Sequence, residues 1–97
     1  MVSLFLFLVM SNSPNSKEFK ELLDTQYKWP ADYLFKFIVN KEHKAQLIEL
    51  FTPYKVIEKP SSKGKYVSIT ARLLMHNSEE VMRIYEKASK IETVISL

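Results

Sequence analysis

The chain contains no cysteine, so it can form no disulfide, hold no thiolate zinc site and offer no thiol nucleophile. Its single glycine is Gly64. A Walker loop needs another glycine five residues before its Gly-Lys pair, to shape backbone amides around phosphates. Position 59 is Lys, which excludes that reading. No apolar run approaches the roughly 20 residues that span a bilayer. The first ten residues, MVSLFLFLVM, carry no Lys or Arg before Leu4 and no small-residue cleavage site after them, so they do not read as a secretory signal. His43 and His76 lie in different segments without a third nitrogen or carboxylate at ligand spacing, and neither a metal nor another cofactor is expected. No nucleophile has a base beside it, and Asp24 and Asp32 near Trp29 make no glycosidase pair without a cleft to hold them.

What is present suits one small α+β domain. The 97 residues are 46% hydrophobic and 26% charged, with a formal charge of +3, ordinary values for a globular chain. A domain this short buries only about 60% of its unfolded surface, and a partner subunit would help it. The excess of base attracts anions without demanding them. Met10 begins a normal polar N-terminus, MSNSPNSKEFKELL, and reads as the true start. The absence of cysteine fits the cytoplasm.

Asn15 and Glu18 have capping-box spacing, and Phe19, Leu22 and Leu23 give a short helix one apolar face, ending near Asp24. Trp29-Pro30 interrupts any helix and leads into a strand. YLFKFIV, residues 33–39, alternates Phe35, Phe37 and Val39 with Leu34, Lys36 and Ile38. Residues 42–51 then take a helical period and stop at Pro53, residues 54–59 form a second strand, and residues 66–75 a third. In the third, Val67, Ile69, Ala71 and Leu73 alternate with Tyr66, Ser68, Thr70 and Arg72, so one face is buried and the other is not. Asn77 or Ser78 caps a last helix bearing Val81, Ile84, Tyr85, Ala88 and Ile91, and residues 93–97 end as a strand. The order β-α-β-β-α-β predicts a ferredoxin-like sandwich, a four-stranded antiparallel sheet with two helices on one face. Residues 1–28 are an N-terminal extension with its own short helix, and residues 29–97 the domain.

The uncovered face of that sheet brings Lys36 beside Ser68, Thr70 and Arg72, with Leu34 and Ile38 between them, a surface suited to a ligand, an RNA base or a second subunit. The other candidate is the loop KPSSKGKY. Ser62 and Lys65 satisfy S-x-x-K, but that chemistry needs the serine at a helix start in a cleft. An RNA-recognition motif shares the topology and a Lys-Gly-aromatic signature on its third strand, yet here Lys65 follows Gly64 and Ile69 stands where a stacking ring is required. The remaining reading is geometric: Gly64 supplies the positive φ of a hairpin, and Pro60 ends an edge strand where a missing amide is harmless. Ser61, Ser62, Lys63 and Lys65 could line an anion-binding concavity. Tyr66 and Tyr85 read as core-edge or interface aromatics.

The runs WPADYLFKFIV, EKPSSKGKYVSITARL and SEEVMRIYEKASKIETVISL together resemble the YbeD-like family of small bacterial proteins of unknown function. The resemblance covers residues 29–97, and Pro60, Ser61, Ser62, Lys63, Gly64 and Tyr66 are its most specific part. It implies an ACT-like, ferredoxin-like fold, a cytoplasmic setting and a regulatory or ligand-binding role, and it brings no catalytic residues. The expectation is a non-enzymatic module, homodimeric through sheet contacts, that binds a small molecule or a protein partner. Single-stranded nucleic-acid binding is the disfavoured alternative, and no membrane is involved.

Overall fold

The computed structural model describes residues 17–97; the cap expected at Asn15 and the apolar leader lie outside them. Helix α1 (Lys17–Gln26) is followed by β1 (Ala31–Asn40), α2 (Lys44–Glu49), β2 (Ile57–Pro60), β3 (Tyr66–Met75), α3 (Ser78–Ser89) and β4 (Ile95–Ser96). The strands form one sheet in the order β2-β3-β1-β4, and all neighbours are antiparallel. This is the ferredoxin-like arrangement, with α1 added at the N-terminal end.

Alternation within the two long central strands decides which side is core. On β1, Tyr33, Phe35, Phe37 and Val39 are buried, and on β3 so are Val67, Ile69, Ala71, Leu73 and Met75. All three helices contribute to the same cluster: Phe19 and Leu23 from α1, Leu47 from α2 with Phe51 just after it, and Val81, Tyr85 and Ala88 from α3. The helices therefore cover one face. The sequence places α1 in an N-terminal extension, and its Phe19 meets Tyr85 edge-on at a 5.4 Å ring separation inside the common core. Phe35 has Tyr33, Phe51 and Tyr85 at 4.8, 5.6 and 5.4 Å. Each buried aromatic or aliphatic side chain contributes about 1.5–3 kcal/mol. The Tyr33 and Tyr85 hydroxyls satisfy each other at 2.9 Å, which lets two polar groups enter an aromatic core. Burial raises both phenols far above their ordinary range.

Local chemistry accounts for the element ends. Asn77 caps α3, its side chain accepting from the Glu80 amide at 2.9 Å, while Glu80 Oε1 accepts from the His76 amide at 2.8 Å. These two bonds satisfy the exposed donors at the helix entry. At the end of α1, Asp24 accepts from Lys20 at 2.8 Å and from the Trp29 indole at 2.9 Å. Lys20 first, then Trp29 and Ser78, hold its carboxyl below the usual range.

Several boundaries differ from those the sequence predicts: α1 runs on to Gln26 rather than ending near Asp24, and β1 spans Ala31–Asn40 rather than residues 33–39. Helix α2 is shorter than residues 42–51 because its end tightens: Leu50, Phe51 and Thr52 donate to the carbonyls three residues back, and the chain leaves the α-helical path before Pro53. The Tyr54 amide then donates to Phe51 at 2.7 Å, so the second strand begins at Ile57 rather than Tyr54. Strand β4 is confined to Ile95–Ser96 because Thr93 takes φ 68°, a conformation outside any strand. Its hydroxyl accepts from the Asn40 amide at 3.1 Å and faces His43 Nδ1 at 3.4 Å, which ties the turn to the end of β1.

Candidate functional site

The register of the sheet fixes what lies on the side away from the helices. Lys36 stands opposite Thr70, Ile38 opposite Ser68, and Leu34 opposite Arg72, so the polar centre and apolar neighbours expected from the sequence are adjacent. Strand β2 adds Ile57 opposite Thr70 and Lys59 opposite Ser68. Strand β4 adds Ile95 opposite Ile38, and the Leu97 amide continues that pairing by donating to the Lys36 carbonyl at 2.8 Å. Asp32 and Leu74 form the next pair toward one end, Asn40 and Tyr66 the last at the other.

Among the described residues, this face holds most of the exposed large apolar side chains. Leu34, Ile57, Tyr66, Leu74 and Ile95 are 46%, 70%, 40%, 55% and 50% exposed, and all five lie on it; among the described residues the other exposed large apolar residue, Tyr54, belongs to the loop before β2. Scattered apolar side chains on a surface call for no explanation, whereas these five share one face of the sheet. Of these five, the sequence identified Leu34 and Tyr66. Leu74 shares the parity of Arg72 along β3 and was legible from it. Ile57 and Ile95 were not, since their facing depends on the bounds and register of two short edge strands.

The face is also chemically polarised. It carries Lys36, Lys59 and Arg72, with Asp32 at one corner as its acid. The other ten of the eleven acidic residues belong to the helices, the connecting turns or the helix side of β2. Glu58, opposite the core residue Ile69, turns to that side and pairs with Lys44 of α2 at 3.0 Å.

The hairpin between β2 and β3 forms as its glycine predicts, with Gly64 at φ +71°. Pro60 is the last residue of the edge strand β2, opposite Val67. Three amides of the loop are bonded within it: Ser61 donates to the Tyr66 carbonyl at 2.8 Å, Gly64 to the Ser61 carbonyl at 2.9 Å, and Tyr66 to Ser61 Oγ at 3.2 Å. Those donors, and the Ser61 hydroxyl, thus build the turn. Ser62, Lys63 and Lys65 are exposed at its tip, and the Lys65 ammonium lies 5.7 Å from the centre of the Tyr66 ring. Tyr66 joins the two candidates, since it closes the hairpin through its backbone and opens the exposed face through its ring.

The titratable groups elsewhere are small local pairs. His43 Nε2 lies 3.6 Å from Glu92, and His76 Nδ1 lies 3.2 Å from Glu80. The His76 amide, and then its ring, hold the Glu80 carboxyl below its usual range. Among the described residues no group of three or more His, Asp or Glu is gathered as metal ligands would be, and no helix is long and apolar enough to cross a membrane.

No curated protein and no solved structure matches the chain. One family does, described as "Protein of unknown function (DUF493)", over residues 24–97. That span begins at Asp24, whose carboxylate fastens Trp29, and runs through every strand. The chain therefore belongs to the DUF493 family, the YbeD-like small proteins of unknown function.

Proposed function

We propose that the protein is a non-catalytic regulatory or ligand-binding module of the cytoplasm, acting through self-association and through the uncovered face of its sheet. The observation that carries this reading is the collection of Leu34, Ile57, Tyr66, Leu74 and Ile95 around the polar centre Lys36, Ser68 and Thr70. Burying that apolar group against a second surface is favourable at about 25 cal/mol per Å², and the central hydroxyls and ammonium supply direction. The hairpin tip, Ser62 to Lys65, borders the face through Tyr66 and extends its basic rim.

Self-association fits the sheet edges better than the face. Apposing two copies of the face would bring Lys36, Lys59 and Arg72 against a like-charged surface, which costs free energy. Edge pairing avoids this. Strand β2 begins opposite Thr70 and β4 reaches only Lys36, so among the described residues no strand lies outside Arg72–Met75 of β3 or Ala31–Phe35 of β1. Unpaired strand edges are templates for another strand. A copy joined there would extend the sheet and leave a wider face free for a ligand at the seam.

Sedimentation of the full chain across a concentration series, together with thermal shift against a panel of metabolites, tests the reading. The expected result is a reversible dimer and a stabilising compound whose amide shifts map to the even-numbered residues of β1 and β3. A monomer at every concentration up to roughly 500 µM, stabilised by no compound, would remove it.

A further inference from the structure

Leu74, Leu34, Leu97, Ile38 and Ile95 lie in an oblique stripe on the uncovered face, while Ile57 on β2 stands outside it and Tyr66 borders its far end. Leu74 on β3 is diagonal to Leu34 on β1, since Leu74 stands opposite Asp32 and Arg72 opposite Leu34. Leu34 is in turn diagonal to Leu97, whose amide donates to Lys36, and Ile95 and Ile38 face each other at the far end. The stripe crosses three strands obliquely over about 20 Å at the rise of a β-strand. An extended chain added to an edge would run along the strands and could not follow it. A helix laid across the face could, and about four turns cover that length.

Arg72 on β3 and Lys59 on β2 lie to one side of the stripe, with Ile57 as the apolar residue among them, and Lys36 stands within it between Leu34 and Ile38 on β1. Arg72 is opposite Leu34, Lys36 is opposite Thr70, and Lys59 on β2 is opposite Ser68. No carboxylate occupies that flank, because Glu58 turns to the helix side and binds Lys44. A partner that buries the stripe brings its own neighbouring side chains over Arg72 and Lys59 at the rim of a newly desolvated surface and encloses Lys36 within it. Complementary charge there steers encounter and rejects basic partners.

Resting on the reading of this face as a contact surface, we infer that its occupant is an amphipathic helix of another protein, carrying Asp or Glu along one flank of an apolar stripe. The occupant is neither a second copy nor single-stranded nucleic acid. A second copy would oppose cation with cation, and a nucleic-acid strand would find one ring, Tyr66, at the end of the face where stacking needs rings along its centre.

The full chain, immobilised, is used to select from a displayed library of random peptides of roughly 16 residues, about four helical turns. The selected peptides are measured at two salt concentrations against the native chain, Leu34→Glu and the double variant Lys36→Glu with Arg72→Glu. All three changes are on the exposed face, and circular dichroism checks each fold. An oligouridine strand and vesicles containing phosphatidylglycerol serve as parallel probes. The expected peptides share Leu, Ile or Phe at three- and four-residue spacing with acids on one flank. Raising salt from about 0.05 to 0.5 M weakens them roughly tenfold, and both variants lose them by at least about tenfold. Selected peptides without acidic bias, acidic peptides that tolerate the double variant, or tighter binding of RNA or vesicles would overturn the inference. In those cases amide shifts on β1 and β3 would still support the contact surface, whereas shifts confined to the helices would sink both.

Discussion

Truncating two neighbours on β1 separates the two faces of the sheet. Phe35 is fully buried and its ring lies within 4.8–6.3 Å of the rings of Tyr33, Phe51, Tyr85 and Phe37. Replacing it by Ala removes the transfer free energy and leaves a cavity that this framework cannot fully close, a loss of about 4 kcal/mol. A chain of this length has a total stability on the order of 5–15 kcal/mol, so Phe35→Ala would take a large share. Leu34, one residue earlier, is 46% exposed. Only about half of its side chain is shielded, and Leu34→Ala should cost about 1 kcal/mol. Urea unfolding at low protein concentration measures both, with unchanged m-values as the sign that only stability moved. Comparable losses at the two positions would refute the reasoning, because they would mean that the free protein already covers its second face. At high concentration a further loss for Leu34→Ala would point to a contact between copies.

Gly64→Ala should destabilise by about 1 kcal/mol, since an alanine at φ +71° is strained while its methyl would meet nothing within 4 Å; Gly64→Asn should cost less in the same urea titration. Asn77→Ala removes the bond to the Glu80 amide and should lower stability by about 1 kcal/mol, read as a drop in the thermal midpoint. Glu80 and Asp24 both have carboxyls held below their ordinary values. Their contribution is therefore fully present above the unfolded carboxylate range and is lost as pH falls through the folded values. Glu80→Gln should flatten part of the decline below about pH 4, and an identical acid profile would show that the His76 interaction has no energetic weight. A double-mutant cycle of Tyr33→Phe and Tyr85→Phe should give a coupling of about 0.5–1.5 kcal/mol for the buried hydroxyl pair, and additive losses would assign the stability to packing alone.

The elements most legible in the sequence are those in which a local rule and burial agree. Strand β3 runs from Tyr66 to Met75 as its alternation predicts, because a strand with one core face displays a period of two in its own residues. Gly64 is legible for a similar reason, since a hairpin position with positive φ selects glycine by itself. The short edge strands obey no such local rule. Strand β2 begins where the tightened end of α2 releases the chain, and β4 is cut to Ile95–Ser96 by a threonine at φ 68° that is held through Asn40. Both bounds are set by contacts with residues distant in sequence. The candidate site divides in the same way: Lys36, Ser68 and Thr70 sit on central strands and could be placed by parity, while Ile57 and Ile95 could not.

That division bears on the partner proposed for the face. Parity alone gives a polar centre, Lys36 with two hydroxyls, which suggests a small ligand. Adding Ile95 and Leu74 changes the chemistry, because apolar side chains then follow one another across β3, β1 and β4 with Arg72 and Lys59 along one flank. Such a surface has length and direction, and a small molecule at its centre would leave Leu74 and Ile95 exposed at opposite ends. The placement of Glu58 is the decisive detail. Were its side chain on the same face as Lys59, the two would neutralise each other beside Ser68; by turning to Lys44 it leaves the flank positive. Charge reversal at Glu58 should thus disturb the contact with α2 and leave partner choice unchanged, whereas reversal at Lys36 and Arg72 should change partner choice and leave the fold intact.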